Sequence, residues 1–492
     1  MNYLTPLTAT SRRLLIVTLA CVLGSHAAVA VIPPPDGDYP GANTAEGQSA
    51  LLSLTSGAFN TAVGFSSLRS DLTGSYNTAL GAGTLFANTA DENTATGFGA
   101  LLSNTTGPDN TANGSLALFN NISGAQNTGI GRGALFSNIG GVSNTAVGAG
   151  ALYQNSTGNN NTAIGFQALY LNTTGRDNTA VGDGALNQNT IGNESTAIGY
   201  GALSVNNTDA NTAVGFFALE INSTGDQNTA VGHRALATNT SGVSNTAFGA
   251  SALTNNTGGA NTANGALALL NNTGGGSNTA VGAGALINNT GNNNTAIGEA
   301  AGDNQTIGSN NVYIGQGIEG IAGENDTCRI KSIFGQTAAN GSAVFITSGN
   351  KLGTETSSKR FKDDIKPMDS RSEALFSLEP VSFRYKKEID PQRKAQFGLV
   401  AEDVEKVDPD LVVRDKEEKP YSVRYDQVNA MLLNEFLKEH KTVQELKSSV
   451  QKQQAIICEQ QMKFYSKLAE QEKRLEVLTS ELQKVSAGLD AR

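Results

Sequence analysis

The sequence predicts a mainly β protein: a parallel β-roll, or solenoid, of about seventeen 17-residue coils, then a small α+β domain and a C-terminal coiled coil. Three observations carry this expectation. Asn-Thr-Ala or a close variant recurs every 17 residues, occasionally 16, from Asn43 to Asn294, with a last variant, NVYIG, at Asn311. Charge then changes character: no lysine precedes Lys331, whereas 25 of the 34 Lys+Arg lie from Lys359 onward. Finally, a mostly apolar seam, with glutamine at three of its positions, steps by three and four from Val443 to Leu489.

The first element is a targeting segment. Arg12 and Arg13 precede the apolar run LLIVTLACVLG, and AVA ends at Ala30. This is the charge, apolar core and small-residue cleavage site of a signal peptide over residues 1–30, and it predicts export to the surface or medium. The run is too short for a permanent transmembrane anchor. Residues 31–42 read as a linker.

The repeat array spans residues 43–315. Glycine falls four residues after each start, from Gly47 to Gly315, and leucine eight after, from Leu51 to Leu286. Apolar residues do not recur at 3.6, so the unit is not helical, and a disordered tract has no reason to hold one leucine in register. Each unit therefore reads as one coil: TAVG a short strand, GAL a second inward segment, and NTTG a turn with Asn and Gly supplying positive φ. One coil cannot fold alone, but stacking places Leu on Leu and Ala/Val on Ala/Val. At ~4.8 Å per strand, seventeen coils make a shaft of roughly 80 Å. No Asp keeps register, which disfavours a calcium-binding roll. The array resembles the head repeats of trimeric autotransporter adhesins, which are left-handed parallel β-rolls with three chains side by side. Those adhesins end in membrane β-strands. This chain ends in LQKVSAGLDAR, without such strands.

Residues 316–356 alternate apolar and polar positions in CRIKSIFGQT and SAVFITSGNKLGT, and read as a β-rich neck. Residues 357–440 have the composition of a compact α+β domain. VSFRY, DLVVR and PYSVRY are strand-like, and LVAEDVEKV is helix-like. Residues 441–489 form the coiled coil. Its seam runs through Val443, Leu446, Val450, Gln453, Ile457, Gln460 and Phe464. After one extra four-residue step to Leu468 it continues to Leu489, and that step is a stutter that unwinds the supercoil locally.

The C-terminal block resembles the intramolecular chaperone domain of phage endosialidases and tail fibres, a self-cleaving peptidase family. The resemblance lies in a Ser-x-x-x-x-Lys start followed by DDIKPM, LEPVSFRY, FGLVAEDVEKVDPDLV and VRYDQVNAMLLNEFL, then the coiled coil. It implies a cut at Thr356–Ser357, with Ser357 as nucleophile and Lys362 as base. Ser358 stands where the family often has Asp, and is a second candidate nucleophile.

Spacing alone does not bring Ser357 and Lys362 together. Five residues is 500° on a helix and an odd step on a strand, so a turn or a lysine from another chain must close the gap. The lysine must also shed its proton. A free lysine titrates near 10.4 and a useful base near 7–8, a difference of about 4 kcal/mol that only burial or nearby cations supply. Cleavage is therefore expected only after folding. Ser–Lys pairs are an established nucleophile–base arrangement.

The sequence thus points to an exported homotrimeric fibre, open to a cell-surface or extracellular ligand, whose C-terminal domain directs assembly and then cuts itself off. Alternatives are a surface fibre in which that domain only trimerises, a phage-derived tail fibre, which the signal peptide disfavours, and an ice-binding threonine ladder. The acidic shaft argues against nucleic-acid binding. Cys328 and Cys458 lack metal-ligand spacing, and His233 and His440 lack partners, so no metal or cofactor is expected.

Overall fold

The computed structural model describes residues 39–336 and 341–489. The chain divides into two units, one ending at Gln336 and one comprising residues 337–492. The expected signal peptide, and the linker up to residue 38, lie outside the described residues.

The first unit is a parallel β-solenoid. Eighteen three-residue strands, from Thr44–Glu46 to Cys328–Ile330, form one sheet in strict register. A typical rung pairs Thr145 with Thr162, Ala146 with Ala163 and Val147 with Ile164. The 16-residue steps preserve this register, as in Ile198 against Val214. The ladder continues past Val312–Ile314 to Cys328–Ile330, beyond the predicted array end at residue 315.

The interior differs from the expectation in two ways. Of the Thr-Ala-Val strand only alanine faces inward. The core is an alanine column (Ala146, Ala163, Ala180) beside a second Ala-Leu segment (Ala151, Leu152, Ala168, Leu169). A strand's side chains alternate, so Thr and Val share the outer face and Val cannot join the core. Nor do the asparagine and glycine of NTTG take positive φ, as at Asn172 and Gly175. Asn172 is buried, and its Nδ2 donates to Asn155 Oδ1 of the preceding coil at 2.8 Å and to Gly175 O at 3.0 Å. A second ladder runs through the strand-leading asparagines, where Asn161 Nδ2 donates to Asn144 Oδ1 at 3.1 Å and to Gly175 O at 2.8 Å. Asparagine is selected here because it both donates and accepts, so each coil satisfies the next.

Positive φ falls instead on the leucine itself (Leu152, φ 51°), on the residue before each strand-leading asparagine (Asn160, φ 55°) and on the recurring glycine. At Gly148, φ is 137°, and a Cβ would lie 2.3 Å from Gly165 O of the next coil. That close approach explains why glycine never yields there. Leucine in the left-handed region costs ~1–2 kcal/mol, but burying it returns about 1.5–3 kcal/mol. The Leu152 N–H also donates to Ala168 O at 2.9 Å.

Near the C-terminal end the pattern changes in a compensated way. Gly302 stands where leucine is expected, and Tyr313 replaces the inward alanine and is fully buried. A Cβ on Gly302 would come within 2.7 Å of the Tyr313 ring, so the tyrosine fills the space the leucine vacates. Its hydroxyl donates to Glu324 Oε1 at 2.8 Å, and Arg329 closes on the same carboxylate at 2.7 Å.

The second unit holds three antiparallel pairs: Val344–Ile346 with Leu352–Thr354, Val381–Phe383 with Gln396–Gly398, and Val412–Arg414 with Pro420–Val423. The expected helix is Ala401–Val407. One helix then runs from Tyr425 to Leu489, starting upstream of residue 441. It starts early because Val428 and Met431, one turn apart, bury against Val404, Leu411, Val412 and Val423 in this unit's core.

Candidate functional site

Ser357 and Ser358 precede a single 3₁₀ turn, Lys359–Phe361. The Phe361 N–H donates to Ser358 O at 3.0 Å, and the Lys362 N–H to Lys359 O at 3.2 Å. The turn bends the chain between Ser357 and Lys362, but it does not join them. Ser357, Ser358 and Lys362 are all exposed, and among the described residues no hydrogen bond or ion pair engages their side chains. Arg360 sits 4.6 Å over the Phe361 ring, a cation–π contact that steadies the turn.

Upstream, Glu355 and Thr354 line a cleft of about 1000 Å³ together with Phe345, Ile346, Arg414 and Tyr421. The residues before the expected scissile bond thus face an open, largely apolar space between two hairpins of the second unit.

Downstream, the fold contributes a polar cluster that sequence reasoning did not single out. Ser372, in the 3₁₀ segment Asp369–Ser377, is fully buried. Its hydroxyl donates to Glu435 Oε1 at 2.5 Å and accepts from Asn434 Nδ2 at 2.6 Å. Lys438 Nζ lies 3.4 Å from the same hydroxyl and 2.6 Å from Glu435 Oε1. The Lys438 ammonium and then the Ser372 hydroxyl hold the Glu435 carboxyl below the usual carboxylate range. Because Lys438 is tied to a carboxylate, this second Ser–Lys contact is an anchor rather than a nucleophile and base. It fastens the segment after Lys362 to the first turns of the long helix. The only sequence signal was the i, i+3 spacing of Glu435 and Lys438, which is too common to notice.

Among the described residues no cluster of His, Cys, Asp and Glu could hold a metal ion. No described helix is long and apolar enough to cross a membrane. Cys328 and Cys458 are free thiols, both exposed.

No curated protein and no solved structure matches the chain. One family model does, described as chaperone of endosialidase, and it covers residues 357–413. The match opens on Ser357 and takes in the 3₁₀ turn, Lys362, the Ser372 anchor and the strand Val412–Arg414 up to Val413. Behind its β-solenoid, therefore, the chain has a segment, residues 357–413, that is similar to the chaperone of endosialidase.

Proposed function

We propose that the protein is an exported, homotrimeric, tail-fibre-like or adhesin-like fibre whose C-terminal module directs assembly and then releases itself at Thr356–Ser357. The observation that carries this reading is that the match to the chaperone family begins at Ser357. In the proposed reaction Ser357 Oγ adds to the Thr356 carbonyl, and Lys362 takes the hydroxyl proton and returns it to the departing Ser357 amine. Water then hydrolyses the ester. The peptide C–N bond is broken, Thr356 gains a carboxylate, and Ser357 becomes a new N-terminus.

The exposure of Ser357 and Lys362 in a single chain supports a site completed by neighbouring copies, since the base must be enclosed to work. Two apolar rows support assembly. The long helix leaves its seam open, with Val450 55% and Leu482 68% exposed. The solenoid's outer strand face carries Ile164, Ile198 and Phe248 at 42–44% exposure, beside a threonine row. From Thr61 to Ile314 this strand face holds no charged residue, and its apolar row is interrupted only by Thr96, Asn113 and Asn264. A long uncharged strand face of this kind fits a second copy better than solvent.

Intact mass and N-terminal sequencing of folded protein test the reading. Wild type should separate into two pieces, the smaller beginning SSKRFKDD. Ser357→Ala and Lys362→Ala should stay full length yet assemble, and Ser358→Ala should still cleave. A cut lost in Ser358→Ala but kept in Ser357→Ala moves the nucleophile by one residue. Wild type that stays whole after folding leaves the module as a trimeriser alone.

A further inference from the structure

The position just after each recurring glycine is small in many coils, as at Ala82, Ser115, Ala149, Ala250, Ala266 and Ala283. Five consecutive coils break this habit with Phe166, Asp183, Tyr200, Phe216 and His233. Backbone bonds place them coil upon coil. The Gly184 N–H donates to Phe166 O at 3.0 Å, the Gly201 N–H to Asp183 O at 3.0 Å, and the Phe217 N–H to Tyr200 O at 3.0 Å. Tyr200, Phe216 and His233 stack in sequence, each pair 5.4 Å apart with planes 15° and 1° from parallel. Because the stack runs along the coil axis, the free face of Tyr200 turns toward the coil that bears Asp183.

From this arrangement we propose a binding site for an alkylammonium cation, bounded by Phe166 and Tyr200 with the Asp183 carboxylate between them. Phe166 and Tyr200 are each 51% exposed, so their rings are open to a ligand. They stand two coils apart, about 9–10 Å at the strand spacing. A cation at the level of Asp183 would therefore lie about 5 Å from each ring level, inside the ~6 Å reach of a cation–π contact. The negative ring faces and the carboxylate act in the same direction. Among the described residues Asp183 has no hydrogen-bonding or ion-pair partner for its side chain. A Cβ placed on Gly184, beside it, meets nothing within 4 Å, so the approach is open. A neutral sugar could cover a ring face but would leave this charge uncompensated. The site belongs to the solenoid and stands whether or not the chain cleaves itself.

The test uses the full chain and saturation-transfer NMR with tetramethylammonium chloride, with tert-butanol as a neutral probe of similar shape and a methyl glucoside as a sugar probe. Tetramethylammonium should bind with a dissociation constant on the order of millimolar. Asp183→Asn and Tyr200→Ala should each weaken it about tenfold or more while leaving the melting temperature unchanged. Phe98→Ala, an exposed aromatic elsewhere on the same row, should have no effect. Equal binding of tert-butanol, or unchanged binding in Asp183→Asn, would overturn the proposal in favour of a merely apolar patch. Preferential binding of the glucoside would overturn it in favour of a sugar platform.

Discussion

Asp71 occupies the position that Asn88, Asn104 and Asn121 hold in the following coils, and it is fully buried there. Burial raises its carboxyl above the ordinary aspartate value, against the lowering effect of the Gly74 N–H, which donates to it at 2.8 Å, and of the Asn88 side chain. A buried acid with a raised folded-state pKa costs stability above that pKa, and the cost fades as pH falls toward the unfolded value near 3.9. Asparagine keeps the acceptor for Asn88 and adds an Nδ2 donor for Gly74 O, as Asn121 does for Gly124 O at 2.8 Å. Asp71→Asn should therefore stabilise the solenoid by about 1 kcal/mol at neutral pH. The gain should shrink on acidification, as read by thermal melts between pH 7 and pH 4. A variant less stable than wild type at pH 7 would mean that the charge is needed.

At the scale of the coil, the core is thin and periodic, so one leucine matters. Leu152 is fully buried between Leu135 and Leu169. Alanine at 152 meets the same left-handed backbone and so regains no conformational energy, while the side-chain burial is lost. Leu152→Ala should cost about 2–5 kcal/mol, read as a lower denaturant midpoint of the solenoid. Identical melting would remove leucine from the core. The asparagine ladders add a second, polar spine. Because Asn155 gives Nδ2 to Asn138 Oδ1 and takes one from Asn172, losing Asn155 leaves a buried acceptor unpaired in the preceding coil.

Across the whole molecule, both units leave apolar surface that a single chain does not cover. A helix of 65 residues with an open seam gains little from propensity alone and depends on packing. Val450→Asp places a charge near the start of that seam, beyond the domain core at Val428 and Met431. The expected outcome is a folded module that sediments as a monomer and remains uncut at Thr356–Ser357, because Lys362 then lacks its neighbours. A monomer that still cleaves would uncouple the reaction from assembly. An intact trimer would move the association to the solenoid face.

The 17-residue period by itself determined the parallel coils, their register and the inward leucine, because a repeat can bury a face only by stacking on its copies. The strands VSFRY, DLVVR and PYSVRY and the helix LVAEDVEKV were equally legible, since their alternation and 3.6-residue spacing are local signals. So was the match that opens on Ser357, through a family pattern rather than through chemistry. What the tertiary structure alone decided depends on contacts between coils or between distant segments. Asn172 looks like a turn residue until Asn155 lies above it, and Val147 looks like core until the alternation is anchored on Ala146. Ser372 meets Glu435 and Lys438 only when the chain folds back on the long helix. Asp183 lies between Phe166 and Tyr200 only because one turn of the solenoid returns each residue to the same place one strand spacing on.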